Sequence, residues 1–124
     1  MAMTDWRVFL CALQELENGT SRGFTVETPA GVEDIFVVRK NTRVVAYRNS
    51  CPHTGGPLDW VPDQFLSLDG SQIQCATHDA RFRIEDGVCI VGPCAGKRLS
   101  AVITVVAEGA VYAQFPARDG ADWR

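Results

Sequence analysis

The chain has 124 residues, 46% of them apolar, and a formal net charge of −3. One domain with one hydrophobic core suits that length and apolar share. The acidic balance argues against nucleic acid as the main partner, which would favour a basic face, and no apolar stretch approaches the length of a bilayer span.

The N-terminal apolar run, Val8 to Leu13, is closed by acidic residues without a small-residue cleavage site, so it makes a poor signal peptide. A soluble, cytoplasmic protein is the expectation. Trp6 to Leu10 is predicted as a first strand, and Ala12 to Gly19 as a helical turn closed by Gly19. Strands follow at Gly23 to Thr28, Asp34 to Arg39 and Arg43 to Arg48, each rich in Val, Ile, Phe or Tyr and bounded by turn or charged residues. Gln64 to Leu68 and Gln72 to Cys75 flank Asp69-Gly70-Ser71, a hairpin signal. Arg81 to Ile84 and Val88 to Val91 flank Glu85-Asp86-Gly87, and Ser100 to Val106 and Ala110 to Phe115 turn at Glu108-Gly109.

No window holds a sustained helical period. Short, evenly spaced strands with hairpin-sized connections predict an all-β fold, a small antiparallel barrel or sandwich. The whole chain, 1–124, reads as one domain with a frayed polar tail at 116–124.

The chain has only two histidines, and each stands beside a cysteine: His53 in CPHTGG, starting at Cys51, and His78 in CATH, starting at Cys75. The pattern is C-x-H, 21 intervening residues, then C-x-x-H. Thiolate and imidazole best hold soft and borderline metals. Both motifs fall at predicted loop tips between strands, where two converging loops can share one ion or cluster. Five cysteines, an odd count, do not suggest a disulfide framework. A structural zinc site usually takes both cysteines from one knuckle, so one of each ligand per loop is atypical for zinc but not forbidden.

CPHTGGPL and CATHDARF resemble the two cluster-binding loops of Rieske iron–sulfur proteins, in which two cysteines hold one iron and two histidines the other. The resemblance extends from about Phe24 to Phe115. It takes in Ala46-Tyr47 before the first motif, the strand and turn R-F-R-I-E-D-G after the second, and Val91-Gly92-Pro93 as a third, covering loop. It implies a Rieske-like sandwich or barrel with a cluster-binding subdomain at about 49–95, and a [2Fe–2S] cluster held by Cys51, His53, Cys75 and His78. Gly55 and Gly56 would let backbone N–H groups approach the cluster, and Pro93 would cover it. The histidines would bind through Nδ1 and leave Nε2 at the surface.

Two departures bear on the potential. The high-potential members carry one further cysteine per loop and hydroxyl donors after the second histidine. Here the corresponding positions are Gly56 and Thr77, then Ala80 and Phe82, so neither a bridge nor those donors can form. Asp79 stands where glycine usually follows the histidine. Its carboxylate is expected to disfavour reduction, with Arg81 as a neutralising partner. Cys11 and Cys89 are expected to be buried small side chains, and Cys94 a plain free thiol.

The resemblance implies a one-electron carrier, without catalysis of its own, between a reductase and a terminal oxygenase. No histidines remain for the mononuclear iron of an oxygenase. The alternatives are a small electron-transfer subunit of a larger reductase, such as nitrite reductase, and a zinc-stabilised or metal-free binding module.

Overall fold

A computed structural model describes residues 6–50, 58, 63–67, 69–75, 80–92 and 96–115. Nine strands and one short 3-10 turn make up its regular structure, with no α-helix among the described residues. The strands are β1 (Trp6–Ala12), β2 (Ser21–Thr28), β3 (Gly31–Lys40), β4 (Arg43–Arg48), β5 (Gln72–Gln74), β6 (Arg81–Arg83), β7 (Cys89–Val91), β8 (Ala101–Ala107) and β9 (Ala110–Phe115). The helical turn predicted at Ala12 to Gly19 is shorter, a single 3-10 turn at Leu13–Glu15. No described helix is long and apolar enough to cross a membrane.

Six strands form one antiparallel sheet in the order β1-β9-β8-β4-β3-β2, and β5-β6-β7 form a second. The large sheet curls until its edges meet, where the Trp6 indole N–H donates to the Glu27 carbonyl at 2.9 Å. The two edge strands are thus brought side by side in a nearly closed sheet, without a backbone ladder between them.

The run Ile35-Phe36-Val37-Val38 on β3 is buried at every position, unlike a strand with one wet face. Ile35 and Val37, with Val44 and Ala46 of β4, face the barrel interior beside Val26, Val111 and Phe115. Phe36, Val38 and Tyr47 face the other way, into a second core with Leu58, Phe65, Ile73, Cys75, Phe82 and Cys89. The central strands therefore carry two cores, and the small sheet is what covers the second. Phe36 and Phe65 stack there at 4.2 Å and 5°, a geometry worth about 0.5–1.5 kcal/mol beyond the area it buries.

Predicted strand Gln64 to Leu68 reduces to a bridge at Leu66 opposite Ile73. Left-handed Asp63 (φ 70°) precedes it. The Asp69 turn cuts it short, since the carboxylate accepts hydrogen bonds from both the Ser67 and Ser71 hydroxyls. Strand-like bonds persist on both sides, Ser67 N–H to Gln72 O at 2.8 Å and Gln74 N–H to Phe65 O at 2.9 Å.

The buried Tyr47 hydroxyl ties β4 to the residue that follows β6: it donates to the Ile84 carbonyl at 2.6 Å. Burial, reinforced by the negative charges of Asp86 and Glu85, pushes the phenol from its usual 10 up to about 12. The folded value lies above the unfolded one, so this stabilisation is complete below pH 10 and is lost as pH climbs toward about 12. Tyr47→Phe should remove that alkaline loss. It should also cost about 1–3 kcal/mol at neutral pH, because the Ile84 carbonyl loses its partner. Urea melts of both proteins from neutral to alkaline pH check both parts.

Candidate metal centre

The first motif lies between β4 and Leu58, the second between β5 and β6. Residues Cys51, His53, Gly55, Gly56, His78, Asp79 and Pro93 lie outside the described residues, as do Thr77 and Cys94. Cys75, Ala80 and Phe82 are described, together with the segments from which both loops spring.

Each loop is closed at its base by a hydrogen bond. After β4, Asn49 donates its N–H to the Asp34 carbonyl at 2.9 Å. Its side-chain oxygen accepts the Leu58 N–H at 2.7 Å, which ties residue 49 to residue 58 across the first motif. Leu58 itself is fully buried. In the second loop, Cys75 donates its N–H to the Ala80 carbonyl at 2.8 Å, so residues 76–79 are bracketed by a closed neck. Leu58, Cys75, Ala80 and Phe82 all belong to the core between the sheets. The two loops therefore stand on a common apolar base, and a side chain such as that of Cys75, with no exposed surface, is shielded from water there.

The third loop comes against the second through glycine. Gly92 has φ 105°, and a Cβ on it would lie 2.9 Å from the Ala80 Cα. Only a residue without a side chain permits that approach of one backbone to another. The tight neck at 75–80 is thus packed from the Gly92 side as well as from beneath.

This arrangement fits a [2Fe–2S] group. One candidate thiolate stands at the mouth of a closed loop, and the sequence places the other three donors within the two bracketed segments. Cys75 would hold one iron with Cys51, while His53 and His78 would hold the other. A bound cluster supplies reversible one-electron chemistry. The Ala80 and Phe82 side chains are buried and apolar, so neither offers a hydroxyl to such a group. Cys89 is buried as well, as expected for a small core side chain, with its Sγ 3.3 Å from the Val91 carbonyl. Cys11 is likewise buried, in the barrel interior, and burial raises its thiol pKa.

Three supports were not singled out from sequence: the Asn49 side chain, Leu58, and the close packing of Tyr47 on Gly87, where a Cβ would lie 2.7 Å from the Tyr47 ring. Asparagine just past a strand is a loop-forming signal, so Asn49 could have been marked. The long-range partners of Leu58 and Gly87 carry no local signal.

Comparison with known proteins agrees with this geometry. The family model described as the Rieske [2Fe-2S] domain matches residues 6–115. Among curated proteins none matches the chain. Among solved structures, the chain is similar to the ferredoxin of carbazole 1,9a-dioxygenase from Nocardioides aromaticivorans IC177. The two are 25% identical with a TM-score of 0.68, over 86% of this chain and 95% of that one. It shares its fold with a chain in a complex of reduced oxygenase and oxidized ferredoxin in carbazole 1,9a-dioxygenase. That match is 24% identical, with a TM-score of 0.70, over 94% of this chain and 97% of the other. It also shares its fold with part of a quaternary ammonium Rieske monooxygenase, at 16% identity and a TM-score of 0.70, but there it spans only 32% of the larger chain. With a family match over nearly its whole length and both ligand loops rooted in one core, this chain belongs to the Rieske [2Fe-2S] domain family.

Proposed function

We propose that the protein is a one-electron carrier that binds a Rieske [2Fe–2S] cluster through Cys51, His53, Cys75 and His78 and passes electrons from a reductase to a terminal oxygenase. It performs no catalysis of its own. The observation that carries this reading is the match, at a TM-score of 0.68 over 95% of its length, to the ferredoxin of a dioxygenase.

The residues act by positioning and shielding. The closed necks at 49–58 and 75–80 hold the two ligand segments, and the core between the sheets excludes water from the Cys75 side. Hydrogen-bond donors to a cluster raise its potential, and the apolar Ala80 and Phe82 provide none from their side chains. A spectroscopically monitored redox titration should therefore give a midpoint in the lower part of the roughly −150 to +300 mV Rieske range. A midpoint near the upper end would contradict the donor argument, and irreversible reduction would contradict the carrier reading.

A further inference from the structure

Strand β7 departs from strict alternation. Arg81 pairs with Val91 and Phe82 with Cys89, so Ile90 is an extra residue bulged out of the ladder. A bulge of this kind sets two neighbouring residues against one partner and re-aims their side chains. Cys89, opposite the buried Phe82, turns into the core. Ile90 and Val91 both come to the surface instead, 42% and 46% exposed, on the face shared with Arg81. Without the bulge, alternation would turn one of the two inward.

Charge frames this apolar pair. The Cys89 N–H donates to the Lys97 carbonyl at 2.7 Å, and Val88 bridges to Arg98, so the exposed Lys97 and Arg98 run alongside β7. Residues 80–100 carry four cations and two carboxylates in a chain whose net charge is −3. One of those carboxylates, Asp86, is held in an ion pair by Arg83, and Arg98 also favours its ionised form. The Asp69 turn follows the Ser67 segment and leads into β5, on the far side of β6 from this face. The face is also close to the candidate centre, because Gly92, the next residue after Val91, packs on Ala80 at the neck of the second loop.

We propose that the bulged face of β7, Ile90 and Val91 bordered by Lys97 and Arg98, is the docking surface for a redox partner protein that presents an apolar spot ringed by carboxylates. The proposal rests on the electron-carrier reading and names the surface chemistry of its partner. An apolar centre with a charged border suits a transient encounter, in which charge sets the association rate and orientation while the small apolar contact leaves release fast.

The test is stopped-flow oxidation of the reduced, cluster-loaded protein by two small oxidants, ferricyanide (an anion) and tris(1,10-phenanthroline)cobalt(III) (an apolar cation). At low ionic strength, the double substitution Lys97→Glu, Arg98→Glu should slow ferricyanide about tenfold, the lower end of electrostatic steering, and speed the cobalt complex. Both effects should vanish at high salt. Ile90→Ser should slow the cobalt complex and leave ferricyanide unchanged. If the variants keep the wild-type midpoint and spectrum yet both oxidants react at wild-type rates, the docking surface is refuted and the carrier reading stands. If the wild-type protein cannot be reversibly reduced and reoxidised, the carrier reading fails, and the docking surface with it.

Discussion

Replacing Gly87 with alanine is expected to lower folding stability by roughly 2–5 kcal/mol, as two costs combine. Gly87 sits at φ 73°, where a side chain costs about 1–2 kcal/mol. A Cβ there would also lie 2.7 Å from Cε1 of Tyr47, inside the core between the sheets. Overpacking of that kind costs about 1–3 kcal/mol. Tyr47 cannot swing aside freely, because its hydroxyl is held by the Ile84 carbonyl. Gly19 separates the two terms: its φ is 80°, but a Cβ there would meet nothing within 4 Å. Gly19→Ala should therefore lose only the backbone cost, about 1–2 kcal/mol. Urea melts of the two variants side by side decide the point, and equal losses would show that the Tyr47 contact carries no weight.

Cys75→Ser is expected to abolish cluster retention, whereas Cys89→Ser keeps it. Both cysteines are buried in the same core, so the penalty of placing a hydroxyl among apolar groups is similar for each. They differ in position. Cys75 stands at the neck of the second ligand loop, while Cys89 lies on β7 opposite Phe82. The visible spectrum of each purified variant, with a thermal melt to confirm folding, separates ligand from core filler. A Cys75→Ser protein that still carries a full cluster would remove Cys75 from the ligand set.

Much of this fold was readable in the chain itself. Apolar, Val- and Tyr-containing runs at Arg43–Arg48 and Ala110–Phe115, and the turn signals at Glu85-Asp86-Gly87 and Glu108-Gly109, placed strands β4, β6, β7, β8 and β9 within about one residue. The Ile35–Val38 run was legible as part of a strand, but not that it is buried on both faces or what covers it. That depends on Phe65 reaching Phe36, a contact across 29 positions that no local pattern encodes. Strand β3 starts earlier than its pattern suggests because the two-residue turn at Pro29-Ala30 lets pairing run to Gly31, and β2 starts earlier because Ser21 and Arg22 pair with Val38 and Val37. The ligand pattern was visible because two histidines each beside a cysteine are hard to attribute to chance. Its supports were not: Asn49 closing on Leu58, Gly92 pressing on Ala80 and the bulge at Ile90 are all long-range geometry.

The most direct test of the account is pulsed and continuous-wave EPR of the dithionite-reduced protein. Two thiolates on one iron and two imidazoles on the other predict a Rieske-type signal with hyperfine coupling to imidazole nitrogen. No signal, or an iron–sulfur signal without nitrogen coupling, would contradict it.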